Sequence, residues 1–217
     1  MNLIQGLISF ILHIDEHLVD IIQLFGSWSY VILFLIVFVE TGVVIFPFLP
    51  GDSLLFAGGA FAALDAFNIW FVVAVFFVAA VLGDTVNYHI GRKVGMSISP
   101  GSWLGKVINQ EKMKAAEAFF NTHGGKTILI ARFMPFVRTF APFVAGASRM
   151  NYRYFAFYNV VGAAFWVGIC TMLGYLFGNI PIIKENFSTV LLAIILLSVL
   201  PALFGIVKSK VSSQTVR

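Results

Sequence analysis

Charge is the scarcest property of this 217-residue sequence. Asp, Glu, Lys and Arg together make up 11% of it, where an ordinary soluble domain carries about 25%. With 59% of residues hydrophobic, that scarcity excludes a water-soluble globular fold and leaves an integral membrane protein. The apolar segments are long and continuous, which excludes an outer-membrane barrel with its short alternating strands. Cysteine occurs once, at Cys170 in the apolar run WVGICTML, so no intrachain disulfide forms and the residue reads as a small helix-packing group. No Lys or Arg precedes Arg92; without the basic n-region of a signal peptide, the N-terminus is expected to be retained. The formal charge is only +4, and the bases gather in one loop and the tail, so no nucleic-acid partner is expected. HExxH, a Walker loop, a PSGH-like element and clustered His and carboxylate ligands are also missing. No catalytic residue, metal or cofactor is therefore expected.

What is present reads as an all-α polytopic membrane protein with a single membrane domain over 1–217. Residues 1–27 place Leu3, Leu7, Phe10, Ile14, Leu18 and Ile21 at helical spacing, while Asp15, Glu16 and Asp20 mark the polar side, the pattern of an interfacial amphipathic helix. A first repeat, 28–95, opens with the interfacial aromatics Trp28 and Tyr30 and runs apolar to about Ile45. Pro47 and Pro50 stop that helix, Pro50-Gly51 is a turn signal, Asp52 and Ser53 are N-cap residues, and Leu54–Ala63 is too short to span. The segment at about 46–63 is therefore a re-entrant hairpin, and Ile69–Gly91 then spans. Residues 96–126 form the long polar stretch, a loop with a helix over Gln110–Asn121 stopped by Gly124-Gly125. The second repeat, 127–179, holds a hairpin at about 130–150, where Pro135 and Pro142 bracket Arg138 in a non-helical tip, and a span over Tyr154–Gly178. After a turn at Asn179-Ile180-Pro181, residues 187–207 span again and 208–217 make a basic tail.

The two hairpins echo each other. Pro47 and Pro135, Ala57 and Ala145, and Gly58 and Gly146 are each 88 apart, while Tyr88 and Tyr175, and Gly91 and Gly178, are each 87 apart. Hairpins that return to their own side put the basic loop and the basic tail on one face, which the positive-inside rule makes cytoplasmic. One span between them makes the hairpins enter from opposite faces. That is an inverted repeat with two opposed re-entrant helical hairpins, an architecture that brings broken helices together near the midplane, where transporters hold substrate and coupling ions.

The motifs ETG at Glu40 to Gly42, FPFLPGD at Phe46 to Asp52, GDxxNYxIGRxxG at Gly83 to Gly95 and RFxPxVRTFAPFVAG at Arg132 to Gly146 resemble the DedA family of membrane proteins. Asn159 to Trp166 and Gly174 to Gly178 extend the resemblance over about 28–207. It implies a bacterial inner-membrane protein whose opposed hairpins are shared with lipid scramblases of eukaryotic endomembranes. It also implies roles in recycling undecaprenyl phosphate, in proton-dependent transport and in envelope homeostasis. The family's required acids correspond to Glu40 and Asp52, and its required arginines to Arg132 and Arg138.

Read from the residues alone, Arg138 offers a fork of donors suited to phosphate oxygens, with a structural ion pair to Asp52 or Glu40 as the alternative. Arg132 either joins that phosphate site or snorkels to the interface beside Lys126. Asp52 reads as an N-cap and as a counter-ion. An ionised Glu40 at the bilayer centre costs on the order of 3 kcal/mol unless paired or hydrated, so it is either a proton carrier or a permanent counter-ion. Asp84 and Asn87 line the cavity, His89 is interfacial, and Pro47, Pro50, Gly51, Pro135, Pro142 and Gly146 shape the hairpins. The GxxxG spacings at Gly91–Gly95 and Gly174–Gly178 indicate close helix packing, with homo-oligomer contact as the sharper reading. The expected function is translocation of undecaprenyl phosphate, with membrane lipid and protons as partners. A small-ion or osmolyte carrier, a phospholipid scramblase, a lipid-phosphate hydrolase and a structural envelope role are the alternatives.

Overall fold

The computed structural model describes residues 24–42, 51–94, 122, 124–134 and 137–185. Among them are seven helices and no strand: α1 (Ser27–Gly42), α2 (Gly51–Ala63), α3 (Ile69–Val94), α4 (Lys126–Ala131), α5 (Val137–Ala147), α6 (Tyr152–Gly178) and α7 (Pro181–Glu185). Most of the amphipathic segment, Pro47, Pro50, Pro135, the helix expected at 110–121, the last span and the tail lie outside the described residues.

Helices α3 and α6 are 26 and 27 residues long. At 1.5 Å per residue each reaches about 40 Å, beyond the roughly 30 Å of a hydrocarbon core, and both are apolar enough to cross a membrane. Their burial follows the helical period: Phe76, Ala80, Gly83, Asn87 and Gly91 form one buried stripe on α3, and Phe155, Asn159, Gly162 and Trp166 begin one on α6. The opposite faces expose Val78, Leu82, Val86 and Ile90, and Phe165, Ile169, Leu173 and Leu176. Apolar stripes of that extent suit lipid and are rare on a soluble monomer. At 13 and 11 residues, α2 and α5 are too short to span.

One local pattern occurs twice. After α2, the N–H of Ala66 donates to the Phe61 carbonyl and that of Asp65 to Ala62; after α5, Met150 and Arg149 donate to Ala145 and Gly146 in the same way. These are paired Schellman closures with Asp65 and Arg149 in the left-handed region. An asparagine then caps each long helix: Asn68 Oδ1 accepts from the Phe71 N–H at 3.2 Å, and Asn151 Oδ1 from the Arg153 N–H at 2.9 Å.

The chain divides into two compact units. The first comprises Met1–Tyr30, Pro50–Val72 and Cys170–Arg217; the second comprises Val31–Leu49 and Val73–Ile169. In the first, α2 lies against the end of α6 so closely that a Cβ on Gly59 would stand 2.0 Å from the Thr171 carbonyl oxygen, and one on Gly174 would stand 2.0 Å from that of Phe56. In the second, α5 lies against α3, with Gly146 on Tyr88 at 1.9 Å and Gly91 on Phe143 at 2.0 Å by the same measure. The two interfaces repeat each other atom for atom, down to the Tyr175 and Arg92 amide nitrogens that a Cβ on Gly59 or Gly146 would meet at 2.9 Å.

This corrects the repeat register. The long helices correspond at a spacing of 83, pairing Asn68 with Asn151, Tyr88 with Thr171 and Gly91 with Gly174, whereas the short helices correspond at 87, pairing Phe56 with Phe143. Tyr88 and Tyr175 match in type but sit about one helical turn apart in role. The path from the packed glycine to the long helix is four residues shorter in the second repeat, since Gly59 to Ile69 takes ten steps and Gly146 to Tyr152 takes six, and most of the difference lies in the short helix itself, which runs four residues past Gly59 but one past Gly146. Sequence identity in an apolar chain does not register that deletion.

Candidate functional site

The site is built in the second unit around α3. Its centre falls near Val81, so Asp84 stands within about 5 Å of the midpoint along the axis. Close packing brings α1 against it. A Cβ on Gly83 would lie 1.9 Å from Thr41 Oγ1, and one on Gly42 would lie 3.4 Å from the Gly83 Cα. The missing side chain at Gly83 allows that approach, and it turns the buried face of α1, with Val37, Glu40 and Thr41, toward the polar residues of α3.

Two ion pairs result. Arg132, 5% exposed, donates through Nη2 to Asp84 Oδ2 at 2.6 Å. Its Nη1 donates to the Asn159 carbonyl at 2.8 Å and to Asn159 Oδ1 at 3.0 Å. Asn159 in turn donates to the Val81 carbonyl at 3.1 Å. One guanidinium thus ties α3 to α6 through a closed set of acceptors. Arg138 pairs with Glu40 through Nη2 and Oε1, and its side chain keeps 10% exposure while that of Glu40 has 1%. Asn87, wholly buried, donates to the carbonyls of Thr41 at 3.1 Å and Thr139 at 2.8 Å. It therefore staples together the residues that follow Glu40 and Arg138. Its own Oδ1 is buried with no hydrogen-bond partner among the described residues. The indole of Trp166 completes the site, with the Arg138 Cζ 5.0 Å and the Arg132 Cζ 5.6 Å from its ring centroid.

Several sequence expectations meet this geometry. Glu40 and Arg138 are brought together, and Asp84 joins the site as the partner of Arg132. Arg132 does not snorkel to the interface, because its charged head is buried against four polar acceptors, counting the Ala80 carbonyl at 3.5 Å. Arg138 is not in a non-helical tip. It occupies the first turn of α5, where its N–H and that of Val137 both donate to the Met134 carbonyl at 3.0 Å. Pro142 continues that helix at its fixed φ while losing the amide bond to the Arg138 carbonyl. Asp52 belongs to the first unit, exposed in the first turn of α2, where a carboxylate complements the helix dipole. The helix starts at Gly51, so Asp52 is in the turn instead of at the cap. His89 is exposed, with its ring 5.3 Å from that of Tyr152. Asn159 and Trp166 were not singled out by role. The available signal was their spacing of seven on an apolar helix, which places both on one face.

Comparison with known proteins places the chain. The family model for the VTT domain matches residues 49–176. Protein DedA of Escherichia coli K12 is 49% identical over 214 residues, covering 97% of this chain and 96% of that one. The chain belongs to the DedA family. The inner membrane protein YqjA of Escherichia coli K12 is 36% identical over 182 residues, covering 84% of this chain and 82% of that one. An uncharacterized membrane protein of Mycobacterium leprae is 42% identical over 170 residues, covering 78% and 76%. The last two are named as membrane proteins, in keeping with the two spanning-length helices of this DedA-family chain. No solved structure matches it. The VTT match takes in Asp52, Asp84, Arg132, Arg138 and Trp166, while Glu40 lies upstream of it on α1.

Proposed function

We propose that this DedA-family protein translocates lipids with a phosphate monoester headgroup, undecaprenyl phosphate foremost, across the bacterial inner membrane, driven by protons. The observation that carries the reading is the inequality of the two ion pairs. Arg132 is enclosed by Asp84 and Asn159 and acts as a strut of no net charge. Arg138 pairs with Glu40 and is the more exposed of the two arginines, its side chain at 10% against 5% for Arg132, so it is the cation a phosphate can reach. Guanidinium binds phosphate and carboxylate through the same fork of donors. An arriving headgroup therefore competes directly with Glu40. A displaced carboxylate in that buried position is costly as an anion, and it is relieved by taking a proton, which is released when the headgroup leaves and Glu40 returns.

On this reading α2 and α5 are the returning arms of opposed hairpins in an inverted repeat. The polar loop and the C-terminus are cytoplasmic, Asp52 is a second counter-ion, and the lipid tail stays in the bilayer while the headgroup crosses. The test is translocation of labelled undecaprenyl phosphate in proteoliposomes, with and without a pH gradient, comparing wild type with Arg138→Ala and with phosphatidylethanolamine as second cargo. Gradient-dependent, selective movement lost in the variant is the expected result. Equal movement of both lipids makes the protein a scramblase, and no movement of either by folded protein favours a small-ion or osmolyte carrier.

A further inference from the structure

Trp166 has no part in the exchange of partners just described. Yet it is 2% exposed and one residue from the midpoint of α6, with two guanidinium groups against its ring. Filling space does not require this, since an aliphatic or smaller aromatic side chain occupies a helix interface as well. Indole differs in being the strongest π partner for a cation among side chains.

We propose that Trp166 is the positioning residue of the exchange, a π surface that holds Arg138 while Glu40 hands it to a phosphate monoester. The inference rests on the function proposed above. Its physical basis is that a guanidinium has two independent recognition surfaces. Carboxylate and phosphate bind at its edge through N–H groups, whereas an aromatic ring binds its face. Glu40 takes the edge, and the Cζ of the same group lies over the indole, 5.0 Å from the ring centroid. Glu40 can therefore leave, and phosphate arrive, without breaking the contact to Trp166. Between those events the edge of Arg138 has lost its carboxylate in a desolvated site, an expensive state for a buried charge, and the ring lowers that cost. Arg132, anchored by Asp84 and Asn159, shares the ring and pins it. The contact is present before and after exchange, so it acts on the barrier and leaves affinity nearly unchanged.

The test uses the full chain in liposomes with farnesyl phosphate as cargo and farnesol and inorganic phosphate as controls. Transport is compared for wild type, Trp166→Phe and Trp166→Leu. Binding is followed by the emission of Trp166 in a functional background where Trp28, Trp70 and Trp103 are changed to Phe. The expected result is a maximal rate reduced about tenfold in Trp166→Leu and about threefold in Trp166→Phe. KM stays within about twofold, and both variants elute as folded protein in detergent. Trp166 emission is expected to change saturably with farnesyl phosphate and not with farnesol. A Trp166→Leu variant with the wild-type rate overturns the proposal, as does one whose loss lies in KM, or equal losses in Phe and Leu. If transport is robust but the emission answers no ligand, the positioning role falls and the lipid reading stands. If no farnesyl phosphate moves while the emission responds saturably to inorganic phosphate, the positioning role stands and the lipid cargo falls.

Discussion

The two arginines of the site look alike in sequence and differ in what surrounds them. Arg132 uses both terminal nitrogens on fixed acceptors of α3 and α6, a division of donors that the point charge of lysine does not reproduce. Removing it also strands Asp84, which is buried with it. Arg132→Ala is therefore expected to lower stability by about 3 to 5 kcal/mol, read as a depressed melting temperature in detergent, with Arg132→Lys only partly restoring it. Arg138→Lys keeps a cation opposite Glu40 and should melt close to wild type while losing most transport, because the planar fork is gone. Near-wild-type melting of Arg132→Ala overturns the strut assignment. Asn87→Ala removes two buried hydrogen bonds and should cost about 1 to 3 kcal/mol. Because those bonds hold the carbonyls next to Glu40 and Arg138, transport should fall further than the melting temperature indicates.

Among the described elements, the repeated unit is a short helix, a Schellman closure, an asparagine cap and a long helix. Each short helix is fastened to a long one through reciprocal glycine contacts at carbonyl oxygens. Cα–H to oxygen approaches of this kind need the absence of a side chain at both positions. Gly59→Ala and Gly146→Ala place a methyl group 2.0 and 1.9 Å from backbone oxygen, so the helices must separate, at an expected cost of about 1 to 3 kcal/mol each. Gly168 serves as the control. It lies in the same long helix as Gly174 with nothing within 4 Å of its Cβ position, so Gly168→Ala should be neutral or stabilising by up to about 1 kcal/mol. Thermal melts of the three variants side by side check the argument, and equal losses in all three would show that helix propensity, not close packing, governs them.

Across the whole molecule, the question is whether the buried charges are a lock or a machine. Exchanging both members of a structural pair preserves the attraction, whereas exchanging a ligand-binding pair does not preserve the ligand. The double variant Glu40→Arg with Arg138→Glu is expected to fold and to stay inactive in the proteoliposome assay, because the phosphate now meets a carboxylate. Recovery of wild-type transport by that double variant would instead make the pair an internal lock.

Much of this was legible in sequence, for reasons of composition. Few charges and long apolar runs determine a helical membrane protein, because hydrocarbon admits little else. An ionisable residue at that depth marks itself, so Glu40, Asp84, Arg132 and Arg138 were legible as candidates one by one. The tertiary structure decided the pairing. Arg132 faces Asp84 and Arg138 faces Glu40 because the glycine at 83 lets α1 onto α3 and those at 91 and 146 bring α5 onto it, and the closeness of two backbones is not written in the charges they carry. It also decided that Trp166, seven residues beyond Asn159, joins the site, since the face a helix buries depends on what packs against it.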